Sequence, residues 1–155
     1  MALMIVGYGL KDSIMDIARL QFRKIQIYDL MAVIDGDIAE EEKGAIDEKL
    51  GSDERIGSFM DGYMRLTEMT FEGKDKDVYL YIPSKLDNLE QFLTFSDRVS
   101  GDTWLMSEDS AILTEKAARD LKISVGDEIQ LELEDDEKIQ VTVTDICENY
   151  LSHYI

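Results

Sequence analysis

Apolar residues recur at helical spacing near the start of the chain. Charged residues separate them, which is the pattern of an amphipathic helix with one face for packing. We therefore predict a helix from Leu10 to about Lys24. If this helix continues a transmembrane helix, its face of Ile14, Ile17, Ala18 and Phe22 is expected to pack on a sheet that contains Val141 and Val143. The apolar positions are Leu10, Ile14, Ile17, Ala18 and Phe22.

The chain is also apolar at both ends. Met1–Val6 has no basic residue before it and no cleavage site after it, which is unlike a signal peptide. This run is too short to span a bilayer, which takes about 20 apolar residues. It is predicted to be either a buried strand or the exit end of a transmembrane helix. Ser152–Ile155 is apolar and aromatic, as expected where a longer chain continues.

The pattern changes after Lys24. Ile25–Ile34 is rich in β-forming residues and is followed by Asp35 and Gly36, so we predict a buried strand that ends in a turn. Asp37 and Glu40 have the spacing of a helix capping box. The second predicted helix ends near Gly51 and has an apolar stripe of Ile38, Ala45, Ile46 and Leu50.

A β-hairpin is predicted in the middle of the chain. Its strands lie within Ile56–Phe71 and Val78–Ile82, and the polar run Glu72–Asp77 connects them. Leu86–Asp97 has apolar residues at helical spacing and is predicted to be a short helix or an irregular segment. Pro83 is the single proline, and no composition shift marks a linker, so one continuous domain is expected.

The last third has the clearest pattern. Ala111–Leu113 is a predicted strand, and Thr114 is a predicted N-cap for a helix whose buried face is Leu113, Ala117 and Leu121. Val125–Asp127 is a predicted turn. Strict alternation then predicts two antiparallel strands, joined at Asp135–Glu137, with apolar positions Ile129, Leu131, Leu133, Ile139, Val141 and Val143. The predicted fold class is α+β.

Charge narrows the possible partners. The chain has 155 residues, of which 34 are acidic and 16 basic, and its formal net charge is -18. A surface of this sign repels phosphate backbones, which need clustered lysine and arginine, so nucleic acid is not an expected partner. An anionic membrane surface would also repel it.

Few residues could carry chemistry. The lone Cys147 excludes an internal disulfide and is predicted to be a small core residue, and the single histidine, His153, lies near the end. Asp35 with Asp37, and the run Asp135–Glu137, are predicted to be solvated turns. Gly7–Gly9 lacks the glycines of a phosphate loop. We therefore predict no enzyme and assign no catalytic, cofactor-binding or metal-binding residue.

The methionines of Met60–Met69 are predicted to be core residues, and an adaptable peptide-binding groove is the alternative.

Two blocks of sequence resemble a known family. Gly7–Ile14, followed by Gln21, Phe22, Tyr28 and Asp29, resembles the segment after the first transmembrane helix of FtsX-like ABC transporter permeases. Ala111–Ile129 and Val143–Tyr150 resemble the stretch that precedes the return to the membrane. Gly57–Ser107 has no detailed match.

The resemblance implies a MacB-like periplasmic core of two lobes, with a mixed or antiparallel sheet packed with helices. A membrane-proximal lobe would be built from residues 8–56 and 108–155, and a distal lobe from residues 57–107.

The location that the resemblance implies is the extracytoplasmic side of the cell membrane of a Gram-positive bacterium. Expected partners are the transmembrane helices of the same permease, an ABC ATPase that hydrolyses ATP elsewhere, and a peptide, lipid or lipoprotein substrate. Substrates differ within the family, so no substrate-binding residue is assigned. The alternative is a free-standing soluble binding or regulatory domain.

Overall fold

The computed structural model describes residues 2–34, 38–133 and 137–155, with side chains from Leu10 onward. Its mixture of helices and strands confirms the α+β class. The helices are α1 (Ala2–Leu20), which continues into a π-helical turn (Gln21–Ile25), α2 (Glu40–Ser52) and α3 (Glu115–Leu121), and a 3₁₀ turn covers Leu89–Gln91. The strands are β1 (Gly62–Phe71), β2 (Lys74–Pro83), β3 (Phe95–Ser96), β4 (Thr103–Trp104), β5 (Ile112–Thr114), β6 (Glu128–Glu132), β7 (Lys138–Thr142) and β8 (Asp145–Cys147).

An antiparallel sheet with the strand order β2-β1-β6-β7 is the centre of the fold. The hairpin predicted in the middle of the chain is confirmed, because β1 and β2 pair along their whole length. Its turn is tighter than predicted and consists of Glu72 and Gly73, both with positive φ. The predicted β6–β7 hairpin is confirmed as well. Outside this sheet, β3 pairs with β4, and β5 pairs with β8 in parallel.

The core lies between this sheet and α3. The predicted helix face is confirmed, because Leu113, Ala117 and Leu121 are all buried. Thr114 occupies the predicted N-cap position, but its hydroxyl donates to the carbonyl oxygen of Tyr154. The sheet contributes Met69, Val78, Leu80, Ile129 and Leu131 to the same cluster, and Val143, which directly follows β7, belongs to it as well. Strands from residues 57–107 and from residues 108–155 therefore share one sheet and one core, while the division into two lobes stays a prediction.

The strand predicted over Ile25–Ile34 is wrong. Only Gln26 forms an isolated bridge, with Leu93, and Leu30 and Val33 are 84% and 78% exposed. A β-forming sequence becomes a strand only where a partner edge is free. The outer edge of β2 is taken instead by the last residues of the chain, since Tyr79 pairs with Tyr154 in parallel. The predicted turn at Asp35 and Gly36 lies outside the described residues.

The predicted packing of α1 is also wrong. Ile14 and Phe22 are 57% and 58% exposed, and Ile17 and Ala18 are exposed as well, so this face does not cover the strands around Val141 and Val143. The reason is that α3 already covers the core side of the sheet. The helix begins earlier than predicted, at Ala2, so the buried-strand interpretation of Met1–Val6 is wrong. In the described part of the chain, no helix is both long and apolar enough to cross a membrane.

The second predicted helix is confirmed and ends where expected, but it begins later than predicted, so Ile38 is not part of it, and its predicted packing is wrong. It runs from Glu40 to Ser52, yet none of its residues is buried. Ala39 stands at the N-cap position and gives no side-chain hydrogen bond. Asp37, the other half of the predicted capping box, lies outside the described residues. The helix is held at its side by an ion pair between Lys43 Nζ and Asp61 Oδ2 at 3.2 Å.

The last three residues extend the sheet beyond β2. The amide of Tyr79 donates to the carbonyl oxygen of His153 at 2.7 Å, and the amide of Ile155 donates to that of Tyr79 at 3.0 Å. The Nδ1 atom of His153 is buried and has no hydrogen-bond partner among the described residues. Burial and the charges of Lys76 and Lys116 lower the pKa of His153, while Asp120 opposes this shift.

This histidine makes stability depend on pH. The unfolded chain binds a proton at His153 near pH 6.5 and the folded chain binds it only at lower pH, so stability is lost as the pH falls below 6.5. We expect the free energy of unfolding of the wild type to fall relative to that of His153→Gln between about pH 6.5 and 5, in urea titrations. A constant difference between the two proteins across this range would contradict the prediction.

Candidate functional site

The end of α1 meets the end of the chain at a buried polar cluster. We call this cluster the α1 junction and define it as Gln21, Lys24, Ser96, Glu148, Asn149 and Tyr150. It begins where α1 widens into its π-helical turn, in which the amide of Gln26 donates to the carbonyl oxygen of Gln21 at 2.8 Å. Such turns are uncommon and are often found at functional sites.

Gln21 connects the two ends of the chain. Its side chain is fully buried. Its Nε2 donates to Asn149 Oδ1 at 2.8 Å, and its Oε1 accepts from the amide of Tyr150 at 2.9 Å. Both ends of the side-chain amide are therefore satisfied by residues that lie 128 and 129 positions later. A buried amide that is paired in this way fixes the relative position of two segments.

Glu148 is the charged centre of the α1 junction. The residue is 4% exposed, and its carboxylate accepts from Lys24 Nζ at 2.8 Å, from the Tyr150 hydroxyl and from Ser96 Oγ at 3.4 Å. Its amide donates to the carbonyl oxygen of Ser96 at 2.8 Å. Burial acts to raise the pKa of Glu148, but the hydrogen bonds from Lys24 and Tyr150 outweigh it and keep this pKa below its ordinary value. Burial and the neighbouring carboxylate raise the pKa of Tyr150 to about 12.

An ion-pair network joins the junction to α3. Arg98 makes two hydrogen bonds to the Glu115 carboxylate, at 2.8 and 2.9 Å, and Arg119 adds an ion pair at 3.1 Å. These side chains border a shallow cavity of about 340 Å³ that Asn149 and Tyr150 also line. The hydrogen bonds of the carboxyl group hold the pKa of Glu115 below its ordinary value. The side chains of Arg98 and Arg119 are 49% and 65% exposed, so these ion pairs are expected to add little to the free energy of unfolding.

The arrangement is suited to holding segments of the chain together. The carboxylate of Glu148 is neutralised by a lysine, and burial raises the pKa of Cys147 to about 12, which keeps its thiol protonated. Cys147 is buried, as predicted for a core residue. Within residues 2–34, 38–133 and 137–155, no group of three or more His, Cys, Asp or Glu side chains could hold a metal ion.

The other residues considered from the sequence lie apart from this cluster. Met69 is fully buried in the core, as predicted, whereas Met60 and Met64 are half-buried. Gly7 and Gly9 are helical residues of α1. The acidic pairs at 35–37 and 135–136 lie outside the described residues. Sequence reasoning missed Lys24, Ser96 and Glu148, because no local pattern signals a pair that is separated by 124 positions.

Comparison with known proteins does not assign the chain to a family. No protein-family model matches it, and no curated protein matches it. The function therefore has to be argued from the α1 junction and from the surface of the domain.

Replacing Lys24 with methionine should destabilise the domain through Glu148. The substitution leaves a buried carboxylate with hydroxyl donors alone, and we expect the free energy of unfolding to fall by about 1–3 kcal/mol at neutral pH. Adding Glu148→Gln removes the uncompensated charge, so the double variant should be more stable than Lys24→Met alone. Urea denaturation of the four proteins of this cycle measures the coupling. Arg23→Met, at an exposed neighbouring position, is the control. The prediction would be contradicted if the double variant lost as much free energy of unfolding as the two single variants lose together.

Proposed function

We propose that this chain is the extracytoplasmic domain of a bacterial ABC transporter permease of the FtsX-like class. In this function the domain couples ATP-driven movement of the membrane helices to substrate handling or mechanotransmission outside the membrane. ATP hydrolysis belongs to a separate ABC ATPase subunit or domain. The observation that carries the proposal is the α1 junction, which fastens α1 to the end of the chain.

The geometry of α1 suits a mechanical connection. The helix contacts the domain through its C-terminal turn, and its apolar side chains at Leu10, Ile14 and Met15 are 57–62% exposed. An exposed apolar helix face is uncommon on a soluble monomer and indicates a surface that another element covers. Membrane helices of the same permease are the covering element in this proposal. Because Gln21 and Lys24 hold Asn149 and Glu148, a displacement of α1 would be passed directly to residues 148–150.

The alternative is a free-standing soluble binding or regulatory domain. The observation that favours it is a groove near Trp104, described below, which could bind a ligand without any membrane partner. The encoded reading frame separates the two functions, because a permease requires apolar spans of about 20 residues on both sides of the domain. A frame without such spans would exclude the transporter function.

Location can be tested with a single engineered cysteine. Val99 is 85% exposed, whereas the native Cys147 is buried and has its pKa raised to about 12, so the native thiol should give little background. In intact cells that express the full-length protein, Val99→Cys should react with a membrane-impermeant maleimide, and the wild type should not. The protein should also fractionate with membranes. Labelling that appears only after the cells are permeabilised would place the domain in the cytoplasm and overturn the proposal.

A further inference from the structure

A second surface of the domain has the composition of a binding site. A groove of about 380 Å³ lies between the segment around the 3₁₀ turn and β4, and we call it the Trp104 groove. Its volume is within the range of small-ligand pockets, about 300–1,000 Å³. The apolar side chains that line it include Leu86, Leu89, Leu93, Phe95, Trp104 and Met106.

The Trp104 groove contains hydrogen-bond groups that are not satisfied. The indole Nε1 of Trp104 is buried and has no acceptor among the described residues. A buried donor without an acceptor is costly, so an acceptor supplied by an occupant would be favoured. Leu105 and Met106 follow β4, and their backbone groups have no hydrogen-bond partner within the part of the chain that the structure describes. Two consecutive residues with free backbone groups can pair with another extended segment.

The charged residues at the groove favour an occupant with a positive charge. Asp87 and Glu90 line it and are exposed, and neither forms an ion pair within the described residues. Among the described side chains, no lysine or arginine lines the groove. Together with the net charge of -18, these carboxylates attract a cation and repel phosphate or carboxylate ligands.

From these observations we infer that the Trp104 groove binds an extended peptide segment in which an apolar residue neighbours a lysine or arginine. The apolar side chain enters the groove, the indole of Trp104 turns so that its buried N–H reaches a peptide carbonyl, and the basic side chain pairs with Asp87 or Glu90. A peptide is favoured over a small amine because it also supplies backbone groups for Leu105 and Met106. The inference holds whether or not the domain belongs to a permease.

The protein contains its own reporter for this site. Trp104 is the single tryptophan of the chain, so intrinsic tryptophan emission reports the groove directly. We expect an acetylated and amidated hexapeptide of alternating leucine and lysine to change this emission in a saturable way at moderate ionic strength. The same peptide with glutamate in place of lysine, and a version with serine in place of leucine, should bind at least tenfold more weakly.

Two sets of variants locate the binding. Asp87→Asn combined with Glu90→Gln should weaken the leucine–lysine peptide about fivefold or more. Glu41→Gln combined with Glu42→Gln, on α2, changes the net charge equally and should leave the affinity within twofold. Trp104→Phe keeps an aromatic ring but removes the N–H, and should weaken binding about fivefold when measured by anisotropy of a labelled peptide.

Three outcomes would overturn the inference. One is the absence of a saturable change in Trp104 emission up to millimolar peptide. The second is an equal loss of affinity in the α2 control pair, which would mean attraction to the overall charge alone. The third is unchanged affinity in both the Asp87/Glu90 pair and Trp104→Phe, which would mean binding at another surface. Circular dichroism of each variant shows that a loss of affinity does not come from unfolding.

Discussion

Replacing Gln21 with leucine should lower the free energy of unfolding by about 2–4 kcal/mol, because it leaves two partners unpaired at a fully buried position. The amide of Tyr150 loses its acceptor, and Asn149 Oδ1 loses its donor. Leucine has a similar volume, so the cost comes from polar groups and not from a cavity. Urea denaturation measures the loss. Hydrogen exchange at residues 148–150 should become faster in the same variant, since their attachment to α1 is broken.

The matched control is Arg23→Ala, two positions along the same turn. Arg23 is exposed, so its truncation should change the free energy of unfolding by no more than about 0.5 kcal/mol. If Gln21→Leu is as stable as Arg23→Ala, or if exchange at residues 148–150 is unchanged, the α1 junction does not hold the two segments together. A displacement of α1 would then have no fixed contact through which it could reach residues 148–150.

Local sequence patterns were sufficient to predict the elements whose partners lie close to them in the sequence. The alternation around Ile129 and Leu131 predicted β6, and the polar run after Phe71 predicted the β1–β2 hairpin. Both are short-range pairings whose register follows from a turn and a period of two. The helix over Glu115–Leu121 was predicted for the same reason, because its buried face is visible within a single window of sequence.

The failures concern long-range competition for surfaces. Ile25–Ile34 has the composition of a strand, but within it only Gln26 forms a bridge, with Leu93, while Tyr154 pairs with the outer edge of β2. Likewise, α1 has the stripe of a packed helix, but α3 already covers the sheet. Propensity and periodicity describe what a segment could bury, and they do not say which of two segments reaches a shared surface.

The candidate site was hidden for a related reason. Gln21 lies directly before Phe22 on an apolar stripe, and nothing nearby indicates that its partners are Asn149 and Tyr150. Glu148 follows a buried cysteine in an acidic chain, where a carboxylate is expected to be solvated. The Trp104 groove was also missed, although the single tryptophan was visible in the sequence.

Replacing Ile17 with proline should break α1 without damaging the core. Proline removes a backbone N–H from the helix interior and its ring clashes with the carbonyl of the preceding turn, at a cost of about 3 kcal/mol or more. Ile17 is 40% exposed, and the core between α3 and the sheet does not depend on it. In the isolated domain we therefore expect lower helical content by circular dichroism, but a free energy of unfolding within about 1 kcal/mol of that of Ile17→Ala.

In the full-length protein, the same pair of variants tests whether α1 acts as a lever, as the proposed permease function requires, or only as a structural helix. If α1 transmits movement to the α1 junction, Ile17→Pro should abolish transport or resistance while the complex still assembles and its ATPase activity continues. Ile17→Ala shortens the side chain but keeps the helix stiff, so it should retain most of the transport activity. Normal transport in Ile17→Pro would refute the lever. Equal loss of transport in both variants would instead assign the role to the exposed side chain of Ile17, because the alanine variant preserves the backbone through which a lever acts.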